Sequence, residues 1–161
     1  MKKVLLPAII IAIVFASSCK KSSDEASVPY TKFMVNGVQK VYPNYSRLSK
    51  DVCASSTFCG TFNLNDYILP NELLKIGLPG DPYVGQILKS GDYRFVFTYV
   101  DNAGVWFKAP GGSLQLTIVK WEGQGGWGCA TFSGWLKSDV GDSLQIQNGY
   151  FQDQIWTTFS K

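Results

Sequence analysis

The chain has 161 residues, 45 % of them apolar and 14 % aromatic, and its 15 Lys and Arg against 12 Asp and Glu give a net charge of +3. It contains no histidine, which excludes serine–histidine and cysteine–histidine catalysis and removes the commonest zinc ligand. Apart from Lys2–Lys3 and Lys20–Lys21, Lys and Arg stand singly, so no basic run points to nucleic acid, and no nucleic-acid partner is expected.

Residues 1–21, MKKVLLPAIIIAIVFASSCKK, have the layout of a lipoprotein signal. Lys2 and Lys3 form the charged start, Val4 to Ala16 the apolar stretch, and Ala16-Ser17-Ser18 put small side chains ahead of Cys19. As a helix the apolar stretch reaches about 20 Å, short of a hydrocarbon core of about 30 Å, so it does not read as a span. Cleavage before Cys19 leaves a thiol suited to carry a thioether-linked diacylglycerol, and hence a membrane anchor made of lipid. An ordinary secretory signal with Cys19 incidental is the alternative. Loss of residues 1–18 leaves 143 residues with a side-chain charge of +1, enough for one domain with one core. The stretch after Cys19, KKSSDEASVP, lacks apolar groups able to join a core and reads as a flexible tether over 19–30. The folded domain is expected over 31–161.

The abundance of aromatics and the 16 glycines suit short strands joined by tight turns. TKFMVNGVQKVY carries Asn36-Gly37 at its centre, the pair that accepts a two-residue type I′ turn, and predicts a first hairpin. Weaker strands are expected at 57–64, 72–77 and 83–88, with one helical turn at Leu73–Ile76 as an alternative. DYRFVFTYV alternates Tyr93, Phe95, Phe97 and Tyr99 with smaller residues, a strand with an aromatic face. After VWFKA, the strand SLQLTIVKWE sets Leu114, Leu116 and Ile118 on one face and Gln115, Thr117, Val119 and Trp121 on the other. CATFSGWL places Phe132 and Leu136 opposite Thr131, Ser133 and Trp135, and a turn at 139–142 leads to a strand with Leu144 and Ile146 inward. Asn148-Gly149 predicts a second hairpin turn, before a closing strand with Phe151 and Ile155 inward. These strands predict an all-β fold, a single antiparallel β-sandwich or open barrel.

The segments Gly-Ser-Leu-Gln-Leu-Thr-Ile, Ala-Thr-Phe-Ser-Gly-Trp-Leu and Gly-Asp-Ser-Leu-Gln-Ile-Gln-Asn-Gly-Tyr-Phe, behind a lipobox and an Asn-Gly hairpin, resemble a group of Bacteroidota lipoproteins of unknown function. That group ends in a "GTFSGTL…ITNGxF" pattern, which the last fifty or so residues match best. Ala130 stands where the pattern has Gly, and Trp135 where it has a small or polar residue. The resemblance implies a β-rich domain of the cell envelope, anchored to the outer membrane at its periplasmic face or at the cell surface. Ser22-Ser23-Asp24-Glu25 loosely resembles the acidic export address of some such lipoproteins, or is generic linker. No activity comes with the resemblance.

With Cys19 acylated, Cys53, Cys59 and Cys129 remain. Cys53 and Cys59 flank a short loop, and a bridge between them would add roughly 2–3 kcal/mol; the alternatives are a bridge to Cys129 or three reduced thiols. No close Cys-x-x-Cys pair and no Asp-x-Asp-x-Asp loop points to a metal, and no cofactor is expected. A two-carboxylate hydrolase is the least favoured reading. The residues singled out as candidate ligand-binding groups are Trp121, Trp135 and Trp156, which share a phase with Thr, Ser and Gln. Indoles beside hydroxyls and amides suit sugar rings; such a face can equally be packed beneath other strands or a partner protein. The expectation is a non-catalytic domain with a glycan, peptide or protein partner.

Overall fold

The computed structural model describes residues 28–43, 48–52, 61–69, 72–80, 82–123 and 125–159, with side chains at all of these but 43, 48–52, 61–69 and 156–159. None of them is helical. The strands are β1 (Tyr30–Val35), β2 (Val38–Pro43), β3 (Leu48–Val52), β4 (Thr61–Leu69), β5 (Glu72–Leu78), β6 (Ile87–Lys89), β7 (Val96–Val100), β8 (Trp106–Lys108), β9 (Leu114–Trp121), β10 (Trp127–Ser138) and β11 (Ser143–Phe159). They form one sheet in the order β2-β1-β11-β3-β4-β5-β7-β8-β10-β9-β6, with β10 also paired to β11. Only β3 and β11 run parallel. The sheet curls into a half-barrel about a shared spine, the long strands β10 and β11.

The inner face is the expected one over most of its length. Leu114, Leu116, Ile118, Phe132, Leu136, Ile146, Phe151 and Ile155 are all buried in one cluster, and each large apolar side chain removed from water in this way contributes about 1.5–3 kcal/mol. Aromatic rings lock the curl. Phe33 of β1 meets Tyr99 of β7 edge-on at 5.9 Å, and Phe97 of β7 meets Phe132 of β10 at 5.2 Å, separations at which ring pairs attract beyond their area. The first hairpin forms as its dipeptide dictates, with φ of 48° at Asn36 and 82° at Gly37. The Leu73–Ile76 segment is strand and not a helical turn.

Three features depart from the sequence reading. Asn148-Gly149 is not a hairpin turn but a bulge inside β11. Phe132 faces Gly149 while Gly134 faces Ile146, so β11 inserts one extra residue against β10, and the same offset recurs against β1 between Lys32 and Met34. Asn148 takes the left-handed φ of 51° that such a bulge requires as readily as a turn does. Gly149 faces the ring of Phe132 so closely that a Cβ there would lie 2.2 Å from it.

A second bulge, in β9, pairs Lys120 with Cys129 but Ile118 with Ala130. The extra residue reverses the inside–outside phase, since side chains alternate with a period of two. Trp121 therefore packs against the core cluster, and not on the outer face with Gln115 and Thr117. Third, the aromatic strand begins later than its alternation implies. Arg94 has a φ of 63°, the Asp92 carbonyl accepts from the Phe95 amide, and Tyr93 is left 79 % exposed before β7 starts.

Candidate functional site

Of the sequence-chosen residues, the side chains of Trp121 and Trp135 are described, and they lie on opposite faces of the sheet. Cys19, Cys53 and Cys59 lie outside the described residues. Cys129 is buried on β10. Trp121 is turned inward, Trp156 stands opposite Ser49 of β3, and Trp135 stands on β10 opposite Gln145 of β11, 49 % exposed. Of the two indoles whose side chains are described, Trp135 has the outward position the sequence phase assigns it.

Trp135 belongs to a larger outer surface that sequence alternation alone does not reveal. Phe107 of β8 is buried, so its neighbours Trp106 and Lys108 point out, and Trp106 is 52 % exposed. On β10 the burial of Leu136 and Ser138 turns Trp135 and Lys137 the same way. The register aligns these strands residue by residue: Ser143 faces Lys137, Lys137 faces Lys108, Lys108 faces Thr98 and Thr98 faces Lys75. Directly opposed residues of antiparallel strands project from the same face. The result is a row, Ser143–Lys137–Lys108–Thr98–Lys75, crossing five strands of the curled sheet, with exposed lysines at three of its positions and the buried Thr98 between Lys108 and Lys75. Trp135 lies one outward position to one side of this row on β10, and Trp106 one outward position to the other side on β8.

Two ammonium groups directly opposed on neighbouring strands are unfavourable by up to about 1 kcal/mol. Asp139 relieves little of this, because its carboxylate is 3.9 Å from the Lys108 ammonium and the two side chains are 84 % and 62 % exposed, in the range where screened surface pairs contribute least.

The interior holds a different polar cluster. Glu72, at the head of β5, is 1 % exposed; its Oε1 accepts a hydrogen bond from the Tyr99 hydroxyl and lies 2.9 Å from Lys40 Nζ of β2. Burial pushes the Tyr99 phenol far above its usual range, and the hydrogen bond to Glu72 and the Glu72 charge push it further, so the hydroxyl remains a donor. Glu72 and Tyr99 are buried while Lys40 is 23 % exposed, and the three groups brace β2, β5 and β7 against one another. Asp153 is also fully buried, whereas Asp139 and Asp142 sit exposed in the β10–β11 turn. Asp101 caps its own turn by accepting from the amides of Ala103 and Val105. Among the described residues no three of Cys, Asp and Glu come together in a group able to hold a metal ion.

No protein-family model matches this chain, and neither a curated protein nor a solved structure shows significant similarity to it.

Proposed function

We propose that this chain is a lipid-anchored domain of the cell envelope, held at the outer membrane through Cys19, whose half-barrel body captures a glycan on its outer face without transforming it. The observation that carries the reading is the pair of half-exposed indoles, Trp106 and Trp135, standing on one strand-built surface beside Gln145, Ser143 and lysines. Flat apolar rings flanked by hydroxyl, amide and ammonium donors match the mixed apolar and polar faces of a sugar. Rigid strands hold them in place, so little ordering is lost on binding.

The test is Trp135→Ala, read in two ways. Retention on immobilised glycans is expected to fall more than about tenfold, while the stability of the fold changes by less than about 1 kcal/mol because half the indole is already in water. A large fall in melting temperature with unchanged retention would contradict the reading.

A second reading is favoured by the open edge of β2. Among the described residues no strand pairs with its outer side, and Val38 and Val41 are exposed along it. Such an edge can accept a strand from another protein, which suits an accessory subunit of an envelope complex. A stoichiometric protein partner in detergent extracts, with no glycan retained, would select this second reading.

A further inference from the structure

We infer that the ligand of this outer face is an anionic polysaccharide, whose carboxylate or sulfate groups lie along the lysine row Lys137–Lys108–Lys75 while its sugar rings stack on Trp135 and Trp106. The inference rests on the glycan-binding reading above and adds the charge class of the ligand.

The first argument is the row itself. Neighbouring strands are about 4.8 Å apart, so the path from Lys137 on β10 to Lys75 on β5 is three spacings, about 14 Å measured along the curled sheet. That is a track several sugar rings long, with positive charge at both ends and between them, and it matches a linear polymer better than a compact ion. The second is the opposed pair Lys108 and Lys137. Cross-strand like charges cost stability, and an anion laid between them converts that repulsion into two favourable contacts. The third is chemical contrast within the face. An anionic bilayer would also attract lysines and indoles, but Ser143 and Gln145 occupy the β11 positions opposite Lys137 and Trp135. Hydroxyl and amide groups there suit sugar hydroxyls and not acyl chains.

The experiment compares dextran sulfate with uncharged dextran of equal length by titration calorimetry on the 19–161 body, with phosphatidylglycerol vesicles as a third arm. Dextran sulfate is expected to bind more tightly than dextran, and to weaken as salt is raised to about 0.15 M, where screening sets in at about 8 Å. Lys108→Gln/Lys137→Gln is expected to weaken dextran sulfate binding about tenfold, from two lost charge contacts of modest size each. The control Lys32→Gln/Lys89→Gln changes net charge equally at exposed positions off the row and is expected to change it less than about twofold. Thermal melts verify that both variants are folded.

Equal weakening by both double variants would overturn the inference, because the attraction would then be that of net charge alone. Equal affinity for dextran and dextran sulfate, lost in Trp135→Ala, would overturn the anionic assignment and leave glycan capture standing. Vesicles bound in preference to either polymer, or no binding to any of the three, would overturn both.

Discussion

Gly134→Ala is expected to destabilise the protein by about 3–5 kcal/mol, a large share of the 5–15 kcal/mol typical of a domain. Gly134 has a φ of 152°, a backbone conformation that L side chains rarely adopt, and a Cβ built there would lie 2.3 Å from the Ser113 carbonyl oxygen and 2.4 Å from the Leu114 Cα. Both obstacles are backbone, so no side chain can swing aside to make room. The same segment is tied down by two hydrogen bonds, the Trp135 amide to the Ser113 carbonyl at 2.9 Å and the Ser113 hydroxyl to the Trp135 carbonyl at 2.8 Å. The glycine thus lets β9 start close against β10 and fixes where Trp135 emerges. Urea unfolding is the measurement; a midpoint within error of the wild type would show that the two strands can separate at no cost.

Glu72→Leu is expected to cost about 3 kcal/mol, the lower end of the range for breaking a buried charge pair, because Lys40 is 23 % exposed. It leaves the Lys40 ammonium without its carboxylate and the Tyr99 hydroxyl without its acceptor in a core of rings. Adding Tyr99→Phe to Glu72→Leu is expected to recover part of the loss, because the orphaned hydroxyl goes too; a double variant no more stable than the sum of the single changes would contradict the coupling. The same hydroxyl predicts a pH effect. A phenol whose folded-state pKa is raised binds its proton more tightly folded than unfolded. Its contribution is fully present below the unfolded value of about 10 and is lost as pH rises above it. The wild type is therefore expected to lose stability in alkali more steeply than Tyr99→Phe.

Much of the fold is legible from local alternation. Leu114, Leu116 and Ile118 declare a strand and its buried face without reference to anything distant, and so do Leu144 and Ile146. Asn36-Gly37 declares a hairpin because two successive positive φ angles are costly for all but a few pairs rich in Gly, Asn and Asp. Asn148-Gly149 is the same dipeptide in a different setting. Its local preference is satisfied equally by a bulge, and only the lengths of β1 and β10 alongside decide that β11 runs on. Trp121 fails for a related reason: one extra residue in β9 inverts the phase, and no residue type announces it.

The candidate site was the least legible part. Lys75, Lys108 and Lys137 are isolated in sequence, and only strand pairing between distant segments gathers them into one row. The sequence signal was the alternation of Trp106 and Lys108 about Phe107, and of Trp135 and Lys137 about Leu136, which gives the face of each residue but not its neighbours. Glu72 and Asp153 were hidden in the same way. A carboxylate reads as solvated until its partners are known, and for Glu72 these come from β2 and β7.

The proposed role requires a body held at the membrane by lipid with the Trp106–Trp135 face covered by its ligand. Mass spectrometry of the native protein, after tryptophan-selective oxidation in intact envelopes, reads both conditions at once. The predicted result is an amino-terminal peptide beginning at acylated Cys19, with Trp106 and Trp135 protected relative to the purified body. An unacylated amino terminus, or equal oxidation of both indoles in envelopes and in isolation, would contradict it.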